Sequence, residues 1–129
     1  MPVKKYLEDI ERDFEALLTA SFMTFEEVKK LKKVMGVYCV YFQKEIIYIG
    51  STNKFDVRFG ADLLHLSTHT LHRKLLKDGK TTAEVRRFLK SECQYRILVC
   101  QDKLQAEALE HLAIWIIKPK YNKYIYCVK

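Results

Sequence analysis

The sequence lacks the long apolar segments, paired cysteines and glycine-rich loops that mark several classes of protein. The apolar run at residues 112–117, as long as any in the chain, is far too short to span a bilayer. The N-terminus carries acidic and basic residues where a signal peptide has an apolar region. We therefore expect an intracellular, cytoplasmic protein that is neither secreted nor inserted in a membrane.

Cysteine is scattered rather than clustered. None of the four cysteines is spaced two residues from another, which excludes the ligand pairs of zinc knuckles and the dithiol motif of redox proteins. We expect them to be reduced and mostly buried. There is also no internal repeat or glycine-rich phosphate loop, and the 129 residues, half of them hydrophobic, suit one domain with a modest core.

The net charge of +7 lies entirely after residue 35. Residues 1–35 hold seven basic and seven acidic side chains, whereas residues 36–129 hold sixteen basic and nine acidic ones. A phosphate polymer is the commonest partner of such a basic surface, because each lysine or arginine placed on a phosphate releases condensed counterions. A merely soluble basic protein is the alternative interpretation of the charge alone.

Two helices are predicted before residue 36. Apolar residues recur at three- and four-residue spacing between Leu7 and Leu18, with charged residues on the other face. Thr24 followed by Glu27 has the spacing of a capping box and predicts the start of the second helix. Its exposed face either forms a solvated helix end, the commoner case, or touches a phosphate backbone. That face carries Lys29, Lys30, Lys32 and Lys33.

Residues 36–50 are the densest β-forming stretch and predict a hairpin. Neither arm alternates with polar residues, so both faces should be covered. A three-residue turn would pair Tyr38 with Gly50 and put Tyr38 and Tyr48 on one face, whereas a two-residue turn would put the tyrosines on opposite faces. The turn contains neither glycine nor asparagine, so its chemistry leaves the register open. Packing alone would also account for both tyrosines.

The residues after the hairpin predict a helix at 54–64, with the preceding loop at 51–53 supplying its N-cap. Arg58 and Asp62 fall on one side of this helix at i,i+4 spacing. From spacing alone, the first interpretation is a surface ion pair.

Three histidines, His65, His69 and His72, lie within the next eight residues and raise the question of a metal site. We doubt a zinc site, because no carboxylate or cysteine completes the set and a break before residue 70 separates His65 from the other two. A phosphate-facing or proton-shuttling histidine and a satisfied polar histidine both remain open.

Later elements are predicted as helices at 71–77 and 81–90, a strand at 93–99 and a long helix at 103–117. The helix at 81–90 opens with Thr81 and Glu84, by the same capping chemistry as the second helix. The polar stripe of the long helix ends at Glu110 and His111, so Glu110 should lie where exposure gives way to burial. Such a glutamate is either a boundary residue with a lysine or water partner or a carboxylate on the floor of a cleft. Residues 120–126 read as a basic, aromatic tail or edge strand.

Four of these signals, in this order, resemble the GIY-YIG nuclease family. Gly36-Val37-Tyr38 and Tyr48-Ile49-Gly50 are separated as the two tripeptides that name the family are, with valine in place of the usual isoleucine. Arg58 follows eight residues beyond Gly50, where the family carries its helix arginine. Glu110 precedes Asn122 by twelve residues and resembles the metal-binding glutamate ahead of the closing Pro-x-Tyr-Asn. The match covers residues 36–124.

The resemblance implies an α/β domain with a central three-stranded antiparallel sheet flanked by helices, at residues 36–129, behind an N-terminal helical extension at residues 1–35. It implies an endonuclease that hydrolyses phosphodiester bonds with Mg²⁺ or Mn²⁺, DNA being favoured over RNA. The alternative is a nucleic-acid-binding module of the same fold that does not cut. A homodimer across a duplex is one way in which so small a domain could gain specificity.

Site roles follow from the same resemblance. Tyr38 or Tyr48 would act on the attacking water, Arg58 would bind the scissile phosphate, Glu110 would hold the metal ion and Asn122 would brace the site. The wider set of nucleic-acid contacts consists of Lys54, Arg58, Arg73, Lys74, Lys118 and Lys120.

Two positions depart from the family pattern. Ser51 stands where many members have lysine, and Asp62 where many have histidine. We expect His69 or His72 to supply the missing basic group from a shifted position.

Overall fold

A computed structural model describes residues 3–65 and 69–122, and a sheet of three strands lies at its centre. The strands β1 (Gly36–Phe42), β2 (Glu45–Thr52) and β3 (Cys93–Val99) are antiparallel neighbours in the order β2-β1-β3. Six of the seven residues of the central strand are buried, which explains why its sequence is apolar on both faces. The predicted three-stranded antiparallel sheet flanked by helices is confirmed.

The hairpin turn is shorter than the three residues that would bring the tyrosines together. It consists of Gln43 and Lys44, with φ values of 51° and 70°, and pairs Phe42 with Glu45. Two successive positive φ angles are the backbone of a type I′ turn, the connection that matches the twist of an antiparallel pair. Neither residue is glycine, so this turn could not be predicted from the residue types.

A bulge in β2 compensates for the short turn. Val40 pairs with Tyr48. The next pair is Tyr41 with Ile46, so Ile47 is an extra residue that faces no partner of its own. The two-residue turn moves the register by one residue and the bulge moves it back. Tyr48 therefore shares a face with Tyr38 although the turn is not the one that this arrangement was expected to need.

Helices cover both faces of the sheet. The described residues form α1 (Val3–Thr19), α2 (Phe25–Lys29), α3 (Phe55–Val57), α4 (Leu63–His65), α5 (Thr70–Lys77), α6 (Thr82–Arg87) and α7 (Lys103–Ile117). A π-helical segment, Arg58–Asp62, joins α3 to α4, and a second, Phe88–Glu92, continues α6. One apolar cluster packs α1 and α7 on one face of the sheet, and the other packs the remaining helices on the face that holds both tyrosines.

Two helix starts were predicted correctly from their capping residues. Thr24 and Glu27 form both hydrogen bonds of a capping box at the start of α2, and Thr81 and Glu84 do the same for α6. The predicted cap of α3 was wrong, because β2 continues to Thr52 and the N-cap position falls on Lys54, without a side-chain hydrogen bond. The first amide of the helix, that of Phe55, donates instead to the Lys32 carbonyl in the loop after α2.

The C-terminal half of α7 is not buried on all sides as its apolar sequence suggested. Trp115 and Ile116 are 58% and 55% exposed. The prediction that exposure gives way to burial after Glu110 is therefore wrong, since only one side of this half packs against the sheet. The residues 123–126 of the predicted tail lie outside the described part of the chain.

Three cysteines, Cys39, Cys93 and Cys100, are free thiols buried in the core, as expected. Burial raises the pKa of the Cys39 and Cys93 thiols to about 12, so these thiols stay protonated. Over residues 3–65 and 69–122, none of the helices has both the length and the apolar composition needed to cross a bilayer.

Candidate active site

The two tyrosines lie side by side on the face of the sheet covered by α3. Their ring centroids are 6.2 Å apart. Tyr38 has no exposed surface, whereas Tyr48 is 8% exposed. Phe55 and Phe59 pack edge-on against the Tyr38 ring, so this ring has a fixed position and only Tyr48 reaches the surface.

The glycine opposite Tyr38 makes room for the tyrosine itself. Gly50 pairs with Tyr38 across the hairpin, and a Cβ at Gly50 would lie 2.5 Å from both Cζ and the hydroxyl oxygen of Tyr38. At Gly36, a Cβ would lie 2.7 Å from the Leu98 carbonyl oxygen and 3.1 Å from the Phe55 ring. Both glycines of the two tripeptides are therefore required by close approach of neighbouring groups.

Arg58 reaches from its helix to the tyrosine pair. Its Nη1 donates to the Tyr38 hydroxyl at 3.0 Å and to the Ser51 carbonyl at 3.2 Å, and its Nε donates to Asp62 Oδ2 at 3.1 Å. The predicted Arg58–Asp62 pair thus exists, with both side chains about one quarter exposed. Spacing along one helix could show that pair but not the contact with Tyr38, which depends on tertiary packing.

The helix that carries Arg58 is continuous from Phe55 to His65 through its π-helical segment; we call it the Arg58 helix. The segment starts at Arg58 and ends at Asp62. Single π-helical turns are rare and occur preferentially at functional sites. The local widening lies at the residue that binds the tyrosine.

Glu110 on α7 faces the same end of β2. Its Oε1 accepts a hydrogen bond of 2.6 Å from the Ser51 hydroxyl. Burial raises the pKa of the Glu110 carboxyl, and the Ser51 hydrogen bond and the Arg58 charge oppose the shift. Ser51 thus binds Arg58 through its carbonyl and Glu110 through its hydroxyl, a linking role that the sequence did not reveal.

Burial also raises the pKa of both tyrosines. For Tyr38, burial outweighs the opposing charge and hydrogen bond of Arg58. For Tyr48, burial and the neighbouring Tyr38 outweigh the Arg58 charge and a hydrogen bond with the Thr70 side chain. Both side chains are therefore neutral phenols at pH 7, each with a hydroxyl held by one named partner.

Asn122 joins the end of the described chain to the edge of the sheet. Its Oδ1 accepts from the Ile49 amide and its Nδ2 donates to the Ile49 carbonyl, both at 2.9 Å. Ile49 faces Cys39 of β1, and the Asn122 amide satisfies the N–H and C=O that Ile49 presents at the open edge of β2. It fixes the backbone between Tyr48 and Gly50.

Of the three histidines, His69 borders the site. Its ring lies edge-on to Tyr48 at a centroid distance of 6.0 Å, and its Nδ1 accepts from the Leu71 amide at 3.2 Å as the N-cap of α5. Burial and the Arg58 charge lower the pKa of His69 to about 4. The ring is therefore neutral at pH 7, with its proton on Nε2.

The other two histidines have local structural contacts. His72 is 1% exposed, and its Nδ1 lies 2.6 Å from the Leu63 carbonyl oxygen. A carbonyl can only accept, so this nitrogen carries the proton. The exposed His65 accepts from Arg86 at 2.9 Å.

The predicted nucleic-acid contacts fall into three places. Lys54 is exposed at the start of the Arg58 helix. Arg73 and Lys74 lie on α5, which begins beside Tyr48. Lys118 and Lys120 follow α7 toward the hairpin turn, where Lys120 pairs with Asp78 at 3.6 Å. Of these residues, Lys54 is the one on the Arg58 side of the site, since its carbonyl accepts a hydrogen bond from the Arg58 amide at 2.9 Å.

A metal ion would depend on a single protein carboxylate here. Within residues 3–65 and 69–122, no three histidine, cysteine or acidic side chains converge into a ligand cluster. Glu110 offers a half-buried carboxylate whose pKa is raised by burial, against the opposing Ser51 hydrogen bond and Arg58 charge. One carboxylate with water around it fits Mg²⁺, which keeps most of its waters, better than it fits zinc.

Comparison with known proteins places the fold. No family model matches the chain, and no curated protein matches it. A solved structure that does match is the GIY-YIG N-terminal endonuclease domain of UvrC from Thermotoga maritima, bound to its catalytic divalent cation, magnesium. It has a TM-score of 0.54 and 23% identity over 77% of this chain and 96% of that domain.

Point mutants of that domain match equally well. A tyrosine-to-phenylalanine mutant has a TM-score of 0.54 and 22% identity, again over 77% of this chain and 96% of that one. An asparagine-to-alanine mutant has a TM-score of 0.50 and 20% identity over 78% and 96%. The resemblance inferred from the two tripeptides is thus confirmed at the level of the fold, which is that of a GIY-YIG domain.

Proposed function

We propose that this protein is a GIY-YIG-type endonuclease that uses a divalent cation to hydrolyse phosphodiester bonds, most readily in DNA. The observation that carries the proposal is the joint arrangement at Ser51. One residue binds the Arg58 guanidinium through its carbonyl at 3.2 Å and the Glu110 carboxylate through its hydroxyl at 2.6 Å. The cation proposed to bind phosphate and the carboxylate proposed to bind metal therefore meet at one residue of the sheet, although they come from two different helices.

Arg58 is the phosphate-binding group of this proposal. A guanidinium is always charged and offers several donors. Two partners, Tyr38 and Asp62, hold it before any substrate arrives. Because Arg58 is already in position, no free energy is spent on reorienting it when charge develops on the non-bridging oxygens during the reaction. Tyr38, which has no exposed surface, acts by positioning Arg58 and not by touching the attacking water.

Glu110 is the metal-binding residue. Magnesium, with manganese as an alternative, would be held by this carboxylate and by water. When bound, the cation supplies positive charge that offsets the charge on the reacting phosphate and on its leaving oxygen. Ser51 holds Glu110 Oε1 in place and favours its charged form.

Tyr48 is the residue that meets the attacking water, because it is the one of the pair with exposed surface. It is a neutral phenol, so it orients the water by a hydrogen bond to its hydroxyl, which also has a hydrogen bond with the Thr70 side chain. His69 lies beside Tyr48 and offers its Nε2–H as a hydrogen-bond donor, because its Nδ1 already accepts from the Leu71 amide. His72 lies in the core against the Leu63 carbonyl, three residues after His69, and Asn122 fixes the strand that carries Tyr48.

The remaining assignments complete the proposal. Residues 36–129 form the nuclease domain and residues 1–35 extend it, in an intracellular protein. Lys54, Arg73 and Lys74 contact the nucleic acid near the cut. Lys118 and Lys120 contact it farther along, toward the hairpin turn.

The test is cleavage of supercoiled, linear and single-stranded DNA in Mg²⁺ by the wild type, Arg58→Ala and Arg12→Ala. Arg12 is an exposed arginine on α1 that pairs with Asp9, so its variant controls for the loss of one positive charge. We expect cleavage by the wild type and Arg12→Ala, and loss of roughly 100-fold or more in Arg58→Ala, as for removal of one preorganised donor. Wild type that binds DNA and never cuts it would instead identify a binding module.

A further inference from the structure

The exposed lysines at the end of α2 form a surface that the site described above does not use. Lys29, Lys30, Lys32 and Lys33, here called the lysine ridge, are all exposed. Lys29, Lys30 and Lys32 line a surface depression of about 290 Å³ together with Glu26 and Asp56, and Lys33 pairs with Asp56. The ridge has four positive charges against two carboxylates and so keeps a positive excess.

The lysine ridge is attached to the Arg58 helix. The Lys32 carbonyl accepts hydrogen bonds from the Phe55 amide at 2.7 Å and the Asp56 amide at 3.4 Å. Lys33 pairs with Asp56 at 3.3 Å. The ridge is thus fixed relative to Arg58 through the first turn of one helix.

The path from the ridge to Arg58 crosses the start of that helix. The Arg58 side chain turns back toward the helix N-terminus, as helical side chains do, and reaches the Ser51 carbonyl. Lys54, exposed at the N-cap position of the same helix, accepts a hydrogen bond from the Arg58 amide at 2.9 Å through its carbonyl. Lys54 and the ridge therefore both adjoin the first turn of the Arg58 helix.

The backbone at Lys32 is strained. Its φ is 60°, in the left-handed region, where glycine is the least strained residue. Lys44 and Lys118 adopt the same region, so this conformation alone assigns no role to Lys32. Substitution by glycine would remove the strain together with the charge.

We propose that the lysine ridge and Lys54 bind the phosphate backbone of the substrate strand next to the phosphate held by Arg58, an inference that rests on the proposed function. The N-terminal extension then serves as a substrate clamp built onto the nuclease domain. Each lysine on a phosphate releases counterions, so the contact has a defined dependence on salt.

The test compares two double variants that each remove two charges, Lys32→Gln with Lys33→Gln, and Lys4→Gln with Lys5→Gln on the exposed part of α1. Affinity for a labelled DNA duplex is measured in EDTA, so that no cleavage occurs. Loss of two contacts lowers the slope of log affinity against log salt by about 1.8. Between about 50 and 200 mM salt, the wild type should therefore lose about 12-fold more affinity than the ridge variant, whereas the Lys4 and Lys5 variant should follow the wild type.

A single variant separates binding from stability. Lys32→Gly removes both the charge and the left-handed strain, so we expect a higher melting temperature together with weaker DNA binding. A higher melting temperature with unchanged affinity would overturn the inference, as would equal salt slopes in the two double variants. Either result, obtained with wild type that binds and cuts DNA, leaves the proposed function standing. Wild type that neither binds nor cuts DNA would refute both.

Discussion

Replacing Gly50 with alanine tests how tightly the second tripeptide is fitted to the first. The new Cβ would lie 2.5 Å from Cζ and from the hydroxyl oxygen of Tyr38 and 3.0 Å from its Cε1. Tyr38 cannot move aside, because its ring is fully buried against Phe55 and Phe59. Gly50 is absent from the positive-φ glycines of the described chain, so steric overlap, not backbone strain, decides the outcome.

The expected cost is modest and measurable. Overpacking of this kind costs about 1 to 3 kcal/mol, and alanine regains about 0.5 to 1 kcal/mol over glycine within a strand. The net loss of about 1 to 2 kcal/mol corresponds to a fall in melting temperature of roughly 3 to 10 °C for a domain of this size. Displacing the Tyr38 hydroxyl also removes a hydrogen bond to the charged Arg58, so cleavage should fall by about 10- to 100-fold.

A double-mutant cycle supplies the assay. Gly50→Ala is compared in the wild type and in a Tyr38→Leu background by urea unfolding, with Gly60→Ala as the matched control. A Cβ at Gly60 meets only Lys29 Cε at 3.6 Å, so the control should gain about 0.5 to 1 kcal/mol. In the leucine background the clash disappears and Gly50→Ala should gain about 0.5 to 1 kcal/mol, as the control does. Equal destabilisation in both backgrounds would refute the steric explanation.

Three further predictions concern the remaining site residues. Tyr48→Phe should reduce cleavage more in kcat than in DNA affinity, whereas Tyr38→Phe should reduce both by loosening Arg58; equal activity of both variants and the wild type would remove tyrosine from the mechanism. The pKa of His69 is about 4 in the folded protein and about 6.5 in the unfolded chain. The unfolded chain therefore takes up a proton at higher pH than the folded protein does, so the free energy of unfolding decreases as the pH falls from about 6.5 toward about 4. Between about pH 7 and 5 the wild type should lose about 1 to 2 kcal/mol that His69→Asn, which keeps the N-cap, does not lose. Ser51→Ala removes the hydrogen bond that opposes the raised pKa of Glu110, so the acid limb of the pH–rate profile should move to higher pH, and Ser51→Thr should restore it.

Local chemistry made part of the fold predictable. The capping residues Thr24 and Thr81 act within one turn of chain, and their partners could be read directly from the sequence. The turn at Gln43 and Lys44 could not, because neither residue is one that favours positive φ. The shared face of the two tyrosines depends on that turn together with a bulge at Ile47, whose opposite effects on register leave no trace in the sequence.

Long-range contacts set the limit for the site. The spacing of Arg58 and Asp62 predicted their ion pair, but Tyr38 lies 20 residues from Arg58 and joins it only through tertiary packing. Ser51 and Glu110 are 59 residues apart, and Ser51 first stood out as a departure from the family pattern. The exposure of Trp115 and Ile116 shows the same limit, because an apolar sequence does not say which of its side chains find a partner.

The measurement that tests the account most directly is Mg²⁺-dependent nicking of supercoiled DNA by Glu110→Gln and Glu107→Gln. The two glutamates lie one turn apart on α7, and Glu107 pairs with Lys103 at 3.9 Å, so the second variant controls for the loss of one carboxylate. We expect the wild type and Glu107→Gln to nick the DNA in Mg²⁺, and Glu110→Gln to bind it with undiminished affinity without cutting. Cleavage by Glu110→Gln at the wild-type rate would contradict the assignment of Glu110 as the metal-binding residue of a nuclease site.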